Sequence, residues 1–287
     1  MDAIITGAYG RVGTALLDHQ SGRFEYTPFD RRVHPQLETI EGDISEYEIV
    51  NNSFKNMDAV VHLAANSNVD GAWSSILENN IIGAYNCLEA CRQQKVESVV
   101  LSSSNHVVGM YETDHAPEIY KSTHDLLLDH TAPVRPDSFY GTSKVFLEAL
   151  GRYYVENYPY PKRVYVLRIG SVRYPKYDHP FGDAERGVDQ GRWTQGSKEY
   201  QQKVTRMRAT WQSRRDVAAL IECCLQDNSV SFQIFYGVSN NDCRWFNIEH
   251  AKKIVGYDPV DSADDWEHPP STDFSQRDSI AFELNNE

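Results

Sequence analysis

The sequence lacks any long apolar stretch. Its 287 residues contain no run of about 18 apolar residues, the length that a membrane-spanning helix needs. It also lacks a leader in which a charged segment precedes an apolar one, the pattern of a secretory signal. We therefore expect a cytoplasmic protein with no membrane partner.

Cysteine is scarce, with five residues in the chain. Their number is odd, and their spacing shows no paired metal-binding pattern. Cys87 and Cys91 would share one face of a helix, because they are one helical turn apart. The sequence therefore predicts reduced, buried thiols and no metal site.

Positive charge is in short supply. The chain has 28 Lys and Arg against 41 Asp and Glu, which gives a formal net charge of -13. Contacts with nucleic-acid phosphates need a basic surface, so this composition argues against a nucleic-acid partner. The acidic excess, with more Arg than Lys, suggests a salt-adapted (halophilic) organism, although many mesophilic enzymes are also acidic.

The most informative motif that is present lies at the N-terminus, where glycines follow a short apolar run. The run Ala3–Ile5 predicts a buried strand, and Gly7, Gly10 and Gly13 come after it. This spacing gives a tight turn whose backbone N–H groups can contact a pyrophosphate at the start of a helix. A glycine-rich surface turn is the alternative, but the order of strand, glycines, helix and acidic residue favours a dinucleotide site.

That acidic residue follows the second predicted strand. The strand covers residues 24–29, and Asp30 comes directly after it. A carboxylate there accepts hydrogen bonds from both hydroxyls of the adenosine ribose, which favours NAD over NADP. Arg31 and Arg32 leave NADP open, because guanidinium groups can pair with a 2′-phosphate.

Apolar strands alternate with helical segments along the chain. The predicted strands lie at residues 3–5, 24–29, 57–65, 98–102, 164–169 and 232–236, and the main helices at 75–94, 138–154, 214–224 and 247–255. This alternation predicts an α/β fold of Rossmann type, a doubly wound parallel sheet. Its ligand should bind at the carboxyl ends of the strands.

No Pro-, Gly- or Ser-rich linker divides the chain, so we expect one domain. Residues 1–171 would form the NAD-binding core, and residues 172–287 a substrate-binding region with a C-terminal tail. The stretch 171–210 lacks sustained periodicity and is long for a connection, so we expect it to be functional or partly mobile. Beyond Pro259 the tail is acidic, and we expect it to be loosely held.

A Tyr-x-x-x-Lys pair, Tyr140 and Lys144, lies on one face of a predicted helix. Tyr158 and Lys162 have the same spacing, but prolines between them break the helix that would align them. A free tyrosine has a pKa of about 10, so a base at neutral pH needs a stabilised phenolate, which Lys144 and a positive nicotinamide can provide. Ser104, at a strand end, would hold the substrate oxygen while Tyr140 takes the hydroxyl proton and hydride leaves for the nicotinamide.

Taken in order, these motifs resemble the extended short-chain dehydrogenase/reductase family. The resemblance covers residues 1–171 and includes His62-Leu63-Ala64-Ala65 and Asn80-Ile81-Ile82-Gly83. It implies that Ser104, Tyr140 and Lys144 act in catalysis. It implies cofactor contacts from Gly7, Gly10, Arg11, Val12, Gly13, Asp30, Asp43, Ile44, Leu63, Ala64, Ala65, Asn80, Tyr140, Lys144 and Ile169.

Other segments are similar to uronate dehydrogenases, which oxidise the anomeric carbon of a hexuronic acid to a lactone; they are Ser104-Asn105-His106, 168–171 and 206–211. This similarity implies sugar contacts from Ser67, Ser104, Asn105, His106, Tyr140, Ser171 and Arg206. The segments 109–113, 151–154 and 238–242 are similar to the haloarchaeal NAD-dependent glucose-6-phosphate dehydrogenases. The long insertion between Ser171 and Arg206 departs from the uronate dehydrogenase pattern.

Arg206 also belongs to a basic segment of an otherwise acidic chain. The other cations of this segment are Arg173, Lys176, Arg186, Arg192, Lys198, Lys203 and Arg208. A basic loop at the edge of the site would attract an anionic substrate and can clamp a carboxylate or phosphate through two hydrogen bonds. The alternative is a solvated loop with scattered charge.

Together these residues predict an NAD-dependent oxidoreductase that converts a sugar to its lactone at C1. An anionic hexose, glucose 6-phosphate or a hexuronate, is favoured, and a neutral pentose or glucose is the alternative. Nucleotide-sugar epimerases and dehydratases share the catalytic residues, but dehydratases have acidic residues where this chain has Asn105 and His106. A dinucleotide-sensing regulator would not need Tyr140 and Lys144. The resemblance also implies a homodimer formed through the helix that carries Tyr140.

Overall fold

The computed structural model describes residues 1–270 and residue 280. Within them, seven strands form one sheet: β1 (Asp2–Thr6), β2 (Glu25–Asp30), β3 (Ile40–Glu41), β4 (Ala59–His62), β5 (Ser98–Ser104), β6 (Arg163–Ile169) and β7 (Phe232–Gly237). All neighbours pair in parallel in the order β3-β2-β1-β4-β5-β6-β7. The predicted doubly wound parallel sheet is confirmed, and its strand order reverses between β1 and β4, where such sheets bind ligands.

Helices flank and connect the strands. Among the described residues they are α1 (Arg11–His19), α2 (Tyr47–Ser53), α3 (Trp73–Ile76), α4 (Gly83–Gln94), α5 (Gly109–His115), α6 (Phe139–Asn157), α7 (Gly182–Asp189), α8 (Lys198–Thr210), α9 (Arg214–Gln226) and α10 (Glu249–Val255). A π-helical segment, Leu77–Ile82, joins α3 to α4. None of the helices in this part of the chain is long and apolar enough to cross a membrane.

The core lies in two layers, one on each face of the sheet. Successive residues of a strand point to opposite faces, so Ile5 packs with α1 and α9 while Ile4 packs with α4 and α6. Leu220 of α9 and Leu147 of α6 represent the two layers, and both are buried. Each fully buried aliphatic side chain of this kind contributes about 1.5 to 3 kcal/mol, so the two layers fix the strand ends at which the site forms.

The segment 171–210 differs from the prediction, because α7 and α8 occupy most of it. The residues of α8 that face the core, Tyr200, Val204 and Met207, are spaced at helical intervals. They are few and are separated by charged and polar residues, so the apolar periodicity in the sequence is weak. The segment therefore has regular structure that the sequence pattern does not show, and the prediction that it is functional or partly mobile stays a prediction.

The start of the C-terminal tail is also more ordered than expected. The backbone N–H of Val260 donates to Asp216 Oδ1 at 2.9 Å, and that of Ala263 donates to Asn241 Oδ1 at 2.9 Å. These side chains anchor the chain directly after Pro259, where the sequence predicts a loosely held tail. The remainder of that prediction, at 271–279 and 281–287, lies outside the described residues.

Candidate active site

A cavity of about 480 Å³ opens along the carboxyl ends of the central strands. Its walls bring together most of the residues that the sequence analysis selects. Those that line it are Gly7, Gly10, Arg11, Val12, Gly13, Asp30, Ile44, Leu63, Ala64, Ala65, Ser67, Ser104, Asn105, His106, Tyr140, Lys144, Ile169, Ser171 and Arg206. The glycine turn and the Ser-Tyr-Lys residues thus face one space.

The glycine turn connects β1 to α1, and its backbone is packed so closely that side chains at Gly7 and Gly13 would clash with it. Gly7 has a φ of +71°, and a Cβ atom there would lie 2.7 Å from the backbone N of Ala64. At Gly13 a Cβ atom would lie 2.3 Å from the carbonyl oxygen of Ala8, so α1 packs against the turn at backbone distance. These close approaches leave the N-terminus of α1 facing the cavity, which suits a pyrophosphate. The residues of the turn therefore fit NAD.

Asp30 lies at the end of β2, beside the glycine turn. Its Oδ2 accepts a hydrogen bond from the backbone N–H of Tyr9, and its Oδ1 accepts one from the backbone N–H of Arg32, both at 3.0 Å. Arg32 also holds the turn, because its Nη2 donates to the carbonyl oxygen of Tyr9 at 2.6 Å. The carboxylate predicted to bind ribose is therefore fixed in place, with a guanidinium next to it.

Tyr140 and Lys144 are carried by α6, whose first turn lies against the end of β5. A Cβ atom on Gly141 would lie 2.5 Å from the carbonyl oxygen of His106, so the helix approaches the strand end at backbone distance. This contact places Tyr140 next to Ser104, and both residues line the cavity. Lys144 Nζ donates to the carbonyl oxygen of Ser102 at 2.7 Å. Two elements distant in sequence thereby form the predicted catalytic group.

Burial governs the protonation of this group. It raises the pKa of Tyr140 above its ordinary value, although the side chain of Ser104 and the charge of Arg11 act in the opposite direction. Burial also lowers the pKa of Lys144 to about 8. In the protein alone the phenol therefore keeps its proton at neutral pH, and further positive charge near the ring is needed to make it a base.

Asn105 and His106 continue from Ser104 into a short 3₁₀ turn. Ser104 Oγ accepts a hydrogen bond from the backbone N–H of His106 at 3.2 Å. The imidazole lies edge-on to the ring of Tyr140 with centroids 5.8 Å apart, and its Nδ1 lies 2.7 Å from Asp137 Oδ2. Burial opposes ionisation of Asp137, but hydrogen bonds from His106 and Ser138 lower its pKa overall. Asp137 thus fixes the imidazole at the edge of the cavity.

Ser171 and Arg206 lie at the other end of the cavity. Ser171 Oγ is 2.9 Å from Thr210 Oγ1, which ties the end of β6 to the end of α8. Arg206 is already engaged, because its Nε and Nη2 donate to the two carboxylate oxygens of Glu112 at 2.6 and 3.0 Å. The expected cation is present in the site, but it is paired within the protein.

Two predicted cofactor residues do not line the cavity. Asp43 accepts hydrogen bonds from the backbone and hydroxyl of Ser45 at 2.9 and 2.8 Å and lies 3.5 Å from Arg31. Asn80 is buried in the π-helical segment, where its Nδ2 donates to Ser143 Oγ at 3.0 Å and to the carbonyl oxygen of Asn66 at 3.1 Å. Both support the wall from behind, Asn80 by linking the chain after β4 to α6.

Some lining residues are not among the predicted site residues. Tyr174 is one, and Arg173, which the sequence predicts only as a cation of the basic segment, is another. Arg173 and Tyr174 lie four and five residues after the end of β6, and this nearness to a strand end is a signal that could have selected them. Arg173 makes a bidentate ion pair with Asp183 of α7 at 2.6 and 2.5 Å. The guanidinium carbon of Arg11 lies over the ring of Tyr174, 5.8 Å from the ring centroid. The start of the long segment thus forms a wall of the cavity.

Comparison with known families agrees with this geometry. Residues 3–183 match the model of the NAD dependent epimerase/dehydratase family, which is more than half of the chain. The chain belongs to this family. The predicted resemblance to extended short-chain dehydrogenases and the predicted cofactor, NAD, are thereby confirmed. The glycine turn and Asp30, which are predicted to contact this cofactor, line the cavity.

Individual members of the family are similar over nearly the whole chain. An NAD-dependent glucose-6-phosphate dehydrogenase of Haloferax volcanii is 33% identical over 270 residues, which covers 91% of this chain and 93% of the relative. An L-arabinose 1-dehydrogenase (NAD(P)(+)) of the same organism is 32% identical and covers 90% and 96%. The NAD complex of a uronate dehydrogenase variant from Agrobacterium tumefaciens superposes with a TM-score of 0.72 at 25% identity, covering 94% and 91%.

Proposed function

We propose that this protein oxidises the anomeric C1 hydroxyl of a sugar to the lactone, with NAD as the hydride acceptor. The observation that carries the proposal is the convergence of Ser104, Tyr140 and Lys144 on the cavity that the glycine turn lines. Similarity to three dehydrogenases that act on different sugars supports a sugar as the substrate. Residues 1–171 supply the cofactor site and catalytic residues, and the region after them supplies an outer wall for the sugar through Val172, Arg173, Tyr174 and Arg206.

Each catalytic side chain has one task. Ser104 donates a hydrogen bond to the oxygen at C1 and so holds the hydroxyl next to Tyr140. Tyr140 acts as a phenolate, which Lys144 stabilises; it accepts the hydroxyl proton and becomes a neutral phenol as hydride leaves C1. When bound, NAD supplies the hydride acceptor and, through its positive ring, further charge that favours the phenolate. His106, held by Asp137, and Asn105 orient the sugar through its other hydroxyls.

An anionic hexose is the substrate class that the charge of the cavity favours. The lining contains one carboxylate, that of Asp30, in a chain with a net charge of -13. Two lining cations, Arg173 and Arg206, are paired with carboxylates outside the lining, those of Asp183 and Glu112. The remaining lining cations are Arg11, Arg31, Arg32 and Lys144. Such a local excess attracts anions, both the pyrophosphate of the cofactor and a charged sugar. A neutral aldose is the second candidate, because one similar enzyme acts on L-arabinose.

The decisive experiment is a screen for NADH formation across glucose 6-phosphate, glucuronate, galacturonate, glucose, xylose and arabinose, at low and high salt. Net NADH accumulation distinguishes a dehydrogenase from an epimerase or dehydratase, which returns the cofactor to its starting state. The Tyr140→Phe variant should lose at least about a thousandfold in kcat while it retains NAD binding. A near-normal rate for that variant would refute the proposed base.

A matched control is available for the tyrosine variant. Tyr158 belongs to the second Tyr-x-x-x-Lys match and lies outside the cavity lining. Tyr158→Phe removes the same hydroxyl group and should leave the rate unchanged.

We also propose that two copies of the chain associate through the face formed by α3, the π-helical segment, α4 and α6. Large apolar side chains on this face are 38% to 59% exposed, namely Trp73, Leu77, Ile82, Tyr85, Phe139 and Tyr153. The rings of Trp73 and Phe139 lie 5.4 Å apart and join the two helical parts of the patch. Exposed apolar patches of this kind mark interfaces. Light scattering should give a dimer mass, and Tyr85→Asp should shift it towards the monomer.

Finally, we propose that the protein works in the cytoplasm of a salt-adapted organism. Its five cysteines are unpaired, and Cys87, Cys91 and Cys224 are buried, which fits a reducing compartment. The net charge of -13 fits a salt-rich medium, in which counterions screen repulsion between acidic residues. Cell fractionation with an antibody against the protein tests the location, and the salt dependence of its stability tests the adaptation.

A further inference from the structure

A buried carboxylate stands directly behind the cation expected to bind the sugar. Glu112 of α5 lies 94 positions before Arg206 in the sequence and holds both its Nε and Nη2 atoms. The hydroxyl of Tyr120 donates to the same Oε1 atom at 2.6 Å. Glu112 is 9% exposed, whereas Arg206 lines the cavity. The guanidinium therefore faces the substrate with its charge compensated by a fixed neighbour.

Other charges around Arg206 also favour its charged form. Asp183 also interacts with this guanidinium and is itself held by Arg173. Burial disfavours the charged form of Arg206, but Glu112, together with Tyr120 and Asp183, raises its pKa overall. Arg206 thus stays a cation at neutral pH, and the carboxylate of Glu112 compensates its charge at hydrogen-bond distance.

We propose that Glu112 determines substrate specificity by excluding sugars that carry a carboxylate at C5. This inference rests on the proposed function, and it adds that a sugar with its C1 at Tyr140 places its C5 substituent at Arg206, the sugar contact that the resemblance implies and that lines the same cavity. A carboxylate that accepts a hydrogen bond from Arg206 must approach the carboxylate of Glu112, and like charges in a partly dehydrated site repel. A guanidinium has five N–H donors, and the ion pair uses two, so a neutral oxygen can still bind without this repulsion.

The sugars that remain have a CH₂–O group at C5, either a free hydroxyl or a phosphate ester. In a hexose 6-phosphate the charged oxygens lie two bonds further from the ring than those of a hexuronate. The phosphate charge of such a sugar therefore lies beyond the Glu112–Arg206 pair. The atom that meets the pair is the neutral oxygen on C6. Glucose and glucose 6-phosphate as separate probes distinguish these two cases.

The test uses glucuronate and glucuronamide, which are nearly identical in shape and differ in charge. Calorimetry on the NAD-loaded protein should show that the amide binds at least about tenfold more tightly than the acid. Glu112→Gln keeps the side-chain shape and can still accept from Tyr120, but it removes the charge. In this variant the preference should shift by at least about tenfold towards the acid.

Controls separate charge from a general disturbance of the helix. Glu112→Asp keeps a carboxylate and should keep the preference for the amide. Asp114→Asn removes an exposed carboxylate from the same helix, where it pairs with Arg135, and should leave the ratio of the two affinities unchanged. The glucose affinity of Glu112→Gln should change by less than about threefold, because no charged group on that sugar meets the pair.

Several outcomes would overturn the inference. Tighter binding of glucuronate than of glucuronamide by the parent protein would do so without any variant, and so would an unchanged ratio in Glu112→Gln. Absence of binding by either sugar to both proteins would do the same. If no sugar yields NADH but the charge-dependent ratio holds, the proposed function fails while the role of Glu112 stands.

Discussion

The buried ammonium of Lys144 is predicted to serve catalysis, and it lowers the stability of the folded protein. Burial lowers its pKa from 10.5 to about 8, so the folded protein holds this proton less tightly than the unfolded chain does. Its ammonium therefore destabilises the fold fully below about pH 8, and this effect fades as the pH rises towards the unfolded value near 10.5.

Replacement of this lysine should separate activity from stability. Lys144→Met at neutral pH should abolish turnover and raise the free energy of unfolding of the NAD-free protein by about 1 to 3 kcal/mol, after allowance for the lost hydrogen bond to Ser102. Urea unfolding at several pH values measures this, and the gain should vanish at high pH. The exposed Lys162→Met is the control. A less stable Lys144→Met variant would show that the hydrogen bond outweighs the dehydration.

Asp30 gives a second prediction for a single side chain. Asp30→Ala should weaken NAD binding by about tenfold, because two charge-assisted hydrogen bonds to the ribose are lost. NADP binding should fall much less or improve, since Arg32 lies beside the same position and would face the 2′-phosphate without a competing carboxylate. Fluorescence titration with both cofactors measures the ratio. An unchanged ratio would contradict the ribose assignment.

Whether a residue of the site could be predicted from the sequence depends on how far away its partners lie along the chain. The glycine turn and the Tyr140–Lys144 pair could be predicted, because turn geometry and helical spacing are local properties. Glu112 and Asp137 could not, because each acts through one side chain that only the tertiary fold brings near it. A lone acidic residue in a helix carries no sign of its partner.

At the scale of elements, a buried ion pair joins the catalytic helix to the sheet. Glu148 of α6 accepts from Arg168 Nε and Nη2 at 2.9 and 2.8 Å and from Ser103 Oγ at 2.6 Å. Arg168 on β6 stands in register with Ser103 on β5. The pair therefore fixes α6, and with it Tyr140, relative to the strand that ends at Ser104.

Breaking one side of this pair should be costly. Arg168→Met leaves Glu148 buried without its cation and should reduce the free energy of unfolding by about 3 to 5 kcal/mol. The double variant Arg168→Met/Glu148→Leu should recover much of the loss, because no unpaired charge remains. Chemical unfolding of both variants tests this, with Arg152→Met, which removes an exposed pair on the same helix, as the control. Equal losses in the single and double variants would contradict it.

Strands and long helices follow from the sequence better than the elements between them. The predicted strand at residues 164–169 and the helix at 214–224 lie within one or two residues of β6 and α9. The predicted helix at 75–94 is divided by the π-helical segment that carries Asn80, and apolar periodicity does not show an extra residue in one turn. Short helices such as α7 gain their stability from tertiary contacts, which a local pattern does not contain.

At the scale of the whole molecule, charge dominates behaviour in solution. A net charge of -13 produces repulsion that added salt screens, as the Debye length falls from about 10 Å at 0.1 M to about 3 Å at 1 M. The melting temperature should therefore rise by about 5 °C or more between these salt concentrations. Scanning calorimetry in NaCl measures it. A lower melting temperature in salt would show that surface ion pairs stabilise the protein more than repulsion destabilises it.

An isolated parallel β-bridge between Ser171 and Trp211 joins the two ends of the long segment after β6. Here the backbone N–H of Ser171 donates to the carbonyl oxygen of Thr210 at 2.7 Å, and that of Gln212 donates to the carbonyl oxygen of Ser171 at 3.2 Å. The chain therefore leaves the sheet after β6 and returns to its edge at the same place, so the two ends of the intervening segment are held together. A change in the length of that segment would leave its entry and exit points where they are, and its effect would fall on the wall that the segment contributes to the cavity.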